Sequence, residues 1–501
     1  MHTVNRRDWV LALAVSAIPL LGFWAYGLFD LDEGFYAAVS AEMLRSGDWI
    51  TPRYSGEAWF EKPVLTYWLV APSVAAFGEN VGPRLPSALA ALALCGVIGL
   101  FVARRVSPAA GIGATLVLGT SLLPAAAGRM LLVDPFLILC LAGSLVALFE
   151  SAVGKPSRRA ASGALLGLAV LAKGPVALIL YAAVFAWTYF AEAELRPTLR
   201  SVGPNLCALA LCMAIVAGWY VPCYLVNGET FVREFLLEQN WGRFLGGDKA
   251  HALPSWASPW GHPLYYPLVL AVGFLPWTLV EAYRAWSRPP MAAESHSAQL
   301  ARRFLGRWAW APLVFFTFSA AKLPHYVLPA VPAIAALLAM RYARTYDWSR
   351  ARRPHTAHVA AALFSAIALH AGFLYFYRAS GQEEAHRLAR WIRSQNANAI
   401  AYRLDSAGAT QTAGPIRMDE TSLPSLELYL GDRLRWADDP EELATAADGE
   451  LVFTRAGRIG DVEHRLVLEH GLRMERVRTP TAQDRFAVWL IRSDEPLRKK
   501  R

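Results

Sequence analysis

Roughly eleven apolar runs, each long enough or nearly long enough to cross a bilayer as a helix, dominate the first three quarters of this 501-residue chain. They fall at about 9–29, 85–103, 108–127, 130–150, 160–173, 175–191, 202–226, 264–284, 308–320, 324–340 and 357–377. In hydrocarbon a backbone must satisfy its own hydrogen bonds, which leaves helices or a closed barrel, and runs of this length are helical. The charge agrees with this reading. Only 18% of the chain is Asp, Glu, Lys or Arg, where a water-soluble domain carries about a quarter. Residues 379–501 hold 19 Lys/Arg and 20 Asp/Glu, leaving 30 and 20 for the rest. The body is therefore apolar with a net charge of +10, and the tail is near neutral at −1. A single soluble enzyme, a disordered chain and a single-span anchor are all excluded. The high pI of about 9.3 reports topology and gives no reason to expect nucleic acid.

The pattern predicts an all-α polytopic membrane bundle of about 11–13 transmembrane helices over 1–378, followed by a small soluble α/β domain over 379–501. The first run, 9–29, lacks a small-residue cleavage site and is expected to stay as a membrane helix. The run 64–77 is short for a crossing and suits an interfacial or re-entrant piece. With that piece on the outer side, 19 basic residues in the loops around 6–7, 104–105, 155–159, 196–200, 284–307 and 341–353 share one face, the cytoplasm by the positive-inside rule. The long connections 30–84 and 227–263, and the tail, then lie together on the opposite side, which suggests a site facing the periplasm or cell exterior. In the tail, 383–393 and 438–447 read as helices. The pieces 399–402, 426–429, 451–454 and 487–491 read as strands. Five cysteines, Cys95, Cys140, Cys207, Cys212 and Cys223, lie in apolar stretches and suit packing rather than disulfides or zinc.

Charged residues beside apolar spans are costly and mark function or a satisfied partner. On the outer side these are Asp30, Asp32, Glu33, Glu61, Lys62, Asp134, Lys173, Arg243 and Lys322, with His325 nearby. Mixed acids and bases of this kind can hold an anionic ligand with the cations and take a proton with a carboxylate. The competing reading is structural: Asp32 and Glu33 on the solvated face of a helix starting near Asp32, with Lys62 and Lys173 snorkelling to the interface.

The motifs DEGFYA (32–37), MLRSGDWITPRYSGEAWFEKPVLTYWL (43–69), FGENVGPRLPSAL from Phe77, VDPFL from Val133, LAKGP from Leu171 and KLPHYVLPAVPAIAALLA from Lys322 resemble the bacterial polyprenyl-phosphate-sugar glycosyltransferases. That family has the C-type glycosyltransferase fold and includes lipid A aminoarabinose transferases, with protein mannosyltransferases as relatives. The first-loop block is the specific part of the match. The resemblance implies transfer, with inversion, of a sugar from a polyprenyl phosphate, expected to be undecaprenyl phosphate, to a lipid A or a protein or glycan hydroxyl acceptor. It makes Asp32 the base candidate, with Glu33 and Asp134 as further catalytic carboxylates. Lys62, Lys173, Arg243 and Tyr326 become candidates for holding the donor phosphate, and Glu61 a candidate metal ligand. One departure is Glu238-Gln239-Asn240, where many relatives have Glu-His-Asn before an Arg-Phe pair. A histidine that would join Glu61 on a metal is missing there, and His251 or His262 would have to replace it, so the metal stays open. No nucleotide cofactor is expected, because the chain has no Gly-rich phosphate loop. The runner-up function is a transporter or flippase of lipid-linked sugars, which predicts internal repeats and mid-span charges. A structural or assembly protein is the third class.

Overall fold

Where an apolar run is free of breakers it forms one long helix; where Pro or Gly interrupts, the helix ends or bends. In the computed structural model the described residues are 5–242, 262–287, 293–319, 322–345, 354–380, 382–402, 423–437, 440–443, 447–455, 474–478 and 486–492. Among them, five helices are long and apolar enough to cross a membrane: Leu85–Arg105, Asp134–Ala152, Val202–Gln239, Pro324–Arg344 and Thr356–Ala379. Two bent pairs raise the count to seven: Pro108–Thr120 with Leu122–Arg129, bent by 61°, and Leu264–Gly273 with Trp277–Ser287, bent by 101°. The first bend sits at Ser121, whose backbone is extended. The second lies at Pro276, which has no N–H to continue a helix.

The other expected spans differ in form. The run 9–29 is not one helix: Arg6–Ala17 gives way to a tight turn at Ile18–Leu20, and Gly22 follows with a positive φ. The carbonyls freed by that break are taken up by the buried Arg129, which donates to Pro19 O at 2.9 Å and Leu21 O at 2.8 Å. The short run at 64–77 becomes the 17-residue helix Leu65–Val81, with Pro72 inside.

Packing orients the spans by charge. Helices Leu85–Arg105 and Asp134–Ala152 run in the same sense, and Arg105 pairs with Glu150 at 2.6 Å at one end. Arg158–Lys173 returns against Asp134–Ala152, so Arg158 starts at the basic end and Lys173 finishes beside Asp134. The main core is built from these helices together with His296–Phe318 and Val331–Thr345.

The tail forms a mixed five-stranded sheet. Ala399–Tyr402 lies between Leu434–Ala437 and Leu451–Arg455, parallel to both. Phe486–Ile491 then pairs antiparallel with Leu451–Arg455 and Met474–Val477. Helix Gln382–Ser394 packs its apolar face on the sheet. The segment 426–429, expected as a strand, is instead the helix Ser425–Leu430. Its Leu-Glu-Leu-Tyr alternation fits period 2, but Pro424 pre-sets a helical φ and Leu426, Tyr429 and Leu430 bury together at i, i+3 and i+4. Of the helix expected at 438–447, Pro440–Leu443 is helical, and 438–439 and 444–446 lie outside the described residues. Strands Leu434–Ala437 and Met474–Val477 were not expected, because both are edge strands with charge inside a short apolar pattern.

Candidate active site

The turn Asp30–Gly34 is a single wide helical turn that opens helix Phe35–Ser46. Its two neighbouring acids face different surroundings. Glu33 is fully buried, and both of its oxygens are saturated. One accepts from Arg84 Nε at 2.7 Å and Leu131 N at 2.6 Å, the other from Arg84 Nη2 at 2.5 Å and Phe29 N at 2.9 Å. Arg84 itself also donates to the carbonyls of Phe23, Tyr26 and Gly27 at 2.7–2.8 Å. The pair therefore ties the chain before the turn to the start of two helices.

Asp32 is only partly covered. Burial pushes its carboxyl above the usual range, opposed by the charges of His325 and Lys62 and reinforced by those of Glu61 and Asp134. Lys62 sits with its Nζ 3.0 Å from Glu61 Oε1, just ahead of Pro63. Asp134 opens its helix with Pro135 next in line, a position where the helix dipole favours a carboxylate. Lys173 closes the antiparallel helix at the end where a cation is favoured, and donates to Asp134 at 2.6 Å. That helix stops there because Gly174 takes φ +87°, which an L side chain resists, and Pro175 follows. Lys173 Nζ also lies 4.9 Å from the Tyr326 ring centre, and His325 packs edge-on to the same ring.

The structure thus gathers Asp32, Glu61, Lys62, Asp134, Lys173, His325 and Tyr326 at one end of the bundle. It sets three singled-out residues apart, the first being Asp30, which is buried and accepts from the backbone N–H of Ser425 at 2.7 Å. Glu33 is spent on Arg84 and two backbone amides. Lys322 caps the helix His296–Phe318, donating to Thr317 O at 2.7 Å and Ser319 O at 2.5 Å. Arg243 and His251 lie outside the described residues. Among the described residues no group of three or more His, Cys, Asp or Glu side chains could hold a metal ion. Glu61 accordingly has no such set around it there. Sequence reasoning missed Arg84, although a lone arginine heading an apolar helix in Gly82-Pro83-Arg84-Leu85 is costly enough to flag. It noted His325 without giving it a role.

The matches to known proteins follow this geometry. A family model described as dolichyl-phosphate-mannose-protein mannosyltransferase matches residues 61–221. The chain is similar to the undecaprenyl phosphate-alpha-4-amino-4-deoxy-L-arabinose arabinosyl transferase of Pseudomonas paraeruginosa. The two are 32% identical over 352 residues, which is 67% of this chain and 60% of the relative. A second such transferase, from Pseudomonas fluorescens, is 30% identical over 353 residues, covering 67% and 56%. The chain thus spans between 56% and 60% of the length of these two curated relatives. The fold is that of ArnT from Cupriavidus metallidurans. The TM-score is 0.69 to the crystal structure bound to undecaprenyl phosphate, with 20% identity, 97% of this chain and 98% of that chain covered. To the apo structure the TM-score is 0.68. This multi-pass membrane chain thus shares the ArnT fold and is similar in sequence to the undecaprenyl-phosphate aminoarabinose transferases, with part of it matched by the protein mannosyltransferase family model.

Proposed function

We propose that this protein moves a sugar, in the manner of its aminoarabinose-transferring relatives, from undecaprenyl phosphate to an acceptor on the periplasmic face, with lipid A first among the acceptors. One observation carries the reading: the convergence of Asp32 with the Glu61–Lys62 and Asp134–Lys173 pairs at one bundle end. The acceptor oxygen forms a bond to the anomeric carbon from one face. The bond from that carbon to the donor phosphate oxygen breaks on the other, and the electron pair leaves with the phosphate, inverting the centre. Lys62, with Lys173, Tyr326 and Arg243 in support, would offset the charge that grows on the departing phosphate. Asp32 would orient the acceptor and, for a hydroxyl, take its proton. Glu33, saturated by Arg84, would hold the turn rather than react. Transfer by the purified protein from a defined undecaprenyl-phosphate sugar to lipid A and to hydroxyl acceptors tests the reading, and failure on all of them sinks it.

The same reading sets the orientation. Arg104, Arg105, Arg158 and Arg159 lie at the bundle end opposite Arg84, Asp134 and Lys173, and the positive-inside rule assigns that basic end to the cytoplasm. A reporter fused after Arg501 is expected in the periplasm, and one inserted between Arg288 and Ala293 in the cytoplasm. The reverse pattern would turn the site away from its lipid acceptor.

Lys62→Ala is expected to raise the donor KM and lower turnover together, by about 1 to several kcal/mol in all, because a charge-assisted contact leaves a partly desolvated site. Lys62→Arg should restore little, since a planar fork does not replace a point charge. Donor titrations on the folded variants check this, and wild-type kinetics in Lys62→Ala would remove the phosphate contact.

A further inference from the structure

The turn that carries Asp32 is gripped from two sides. The membrane body holds it through Glu33 and Arg84. The tail domain holds the other side. The backbone N–H of Ser425 donates to Asp30 Oδ1 at 2.7 Å, and the backbone N–H of Leu28 donates to the Tyr429 hydroxyl at 3.3 Å. Both partners come from one short helix, Ser425–Leu430. Its register is set in turn by His386, whose Nε2 lies 3.2 Å from Ser425 Oγ and whose Nδ1 lies 2.6 Å from the Tyr377 hydroxyl at the end of the last span. Burial pushes the His386 ring down to about 3, so the ring stays neutral between these hydroxyls.

Two glycines show how closely the surfaces meet. A Cβ on Gly34 would fall 2.5 Å from Asp30 Oδ1 and 2.9 Å from Pro424 Cγ. On Gly27 it would fall 1.8 Å from His386 Nδ1. The same tail helix reaches further along the first loop, where Glu427 accepts from the Ser55 hydroxyl and pairs with Arg45 at 3.8 Å. Arg393 pairs with Glu79 at 2.7 Å on another part of that loop.

We propose that the C-terminal domain is a positioning element of the active site: through Ser425 and Tyr429 it sets the Asp30–Gly34 turn and so the placement of the Asp32 carboxylate. The inference rests on the reading of Asp32 as the reacting group. Both tail residues act at a distance from the reacting atoms: Ser425 through the Asp30 side chain, and Tyr429 through the backbone N–H of Leu28 just ahead of the turn.

Tyr429→Phe, Gly34→Ala, Asp30→Ala and Asp30→Asn in the full chain test it, with two readouts. The first is amide exchange in peptides covering 27–35, which needs no turnover. The second is the split of kcat from donor KM in transfer from an undecaprenyl-phosphate sugar. Tyr429→Phe, Gly34→Ala and Asp30→Ala are expected to speed exchange at 27–35 while the tail strands stay protected. They should lower kcat by about tenfold to a hundredfold with donor KM near wild type, since a displacement of an ångström in a reacting group costs that much. Asp30→Asn keeps an acceptor oxygen for Ser425 and is expected close to wild type in both. Unchanged exchange at 27–35 in Tyr429→Phe and Asp30→Ala overturns the proposal, as does a loss confined to donor KM or an Asp30→Asn defect as large as that of Asp30→Ala. If Gly34→Ala does not fold, Tyr429→Phe decides, since it removes one oxygen only. A wild-type protein that transfers no sugar would defeat the proposed function, while the exchange measurement still decides the positioning role.

Discussion

Asp32→Asn is expected to lose about a hundredfold to ten-thousandfold in turnover onto a hydroxyl acceptor, the range a general base contributes when a proton must leave in the transition state. The substitution keeps shape and one acceptor oxygen, so donor binding should survive. Because burial raises the Asp32 carboxyl above its ordinary range, the ionised form that takes the proton is lost as pH falls through that raised value. The wild-type rate should therefore fall on its acid side at a pH above that of a free aspartate, and the Asn variant should lack that limb. A lipid A phosphate is already ionised at neutral pH and has no proton to give. With that acceptor the same variant is expected to lose far less and to show little change in pH profile. The comparison of acceptors with one purified variant thus reports both the role of Asp32 and the class of acceptor. Wild-type turnover on every acceptor would remove Asp32 from the reaction.

Removing either member of the Glu33–Arg84 pair is expected to destabilise the folded chain by about 3–5 kcal/mol, because the partner is left as an uncompensated buried charge. The two side chains are 0–1% exposed, so solvent screens almost none of this. Glu33→Ala strands Arg84 and the amides of Phe29 and Leu131; Arg84→Ala strands Glu33 and the carbonyls of Phe23, Tyr26 and Gly27. The double variant should cost clearly less than the two singles combined, since the shared charge interaction is counted only once. Thermal unfolding of the detergent-solubilised protein measures this. Singles that unfold at the wild-type temperature would show that the pair is not the anchor of the turn.

Much of this protein follows from local pattern. Unbroken apolar length decides which segments are long helices, as at Leu85–Arg105 and Asp134–Ala152, because hydrocarbon leaves the backbone no other partner. The acids and lysines of the site are visible because a charge beside an apolar run is too costly to be incidental. Short apolar runs place Ala399–Tyr402 and Leu451–Arg455 on strands. What local pattern does not decide is which of two equal side chains does which work. Asp32 and Glu33 are adjacent acids in one motif, and only packing separates them: Leu131 and Arg84 arrive from distant sequence and consume Glu33, leaving Asp32 toward Lys62 and His325. The Leu426–Tyr429 segment satisfies two periodicities at once, and the choice of helix comes from Pro424 and from burial against the sheet. The break within the run at 9–29 is held by Arg129, which comes from far along the chain to take up the freed carbonyls. The grip of Ser425 and Tyr429 on residues 28–30 joins groups about 400 residues apart. Sequence alone therefore determined the membrane bundle and which charged side chains stand beside its apolar runs, because hydrophobic length and isolated charge are local properties. Tertiary structure decided their surroundings, because a carboxylate is saturated as an anchor or left among other charges according to which donors the fold brings to it.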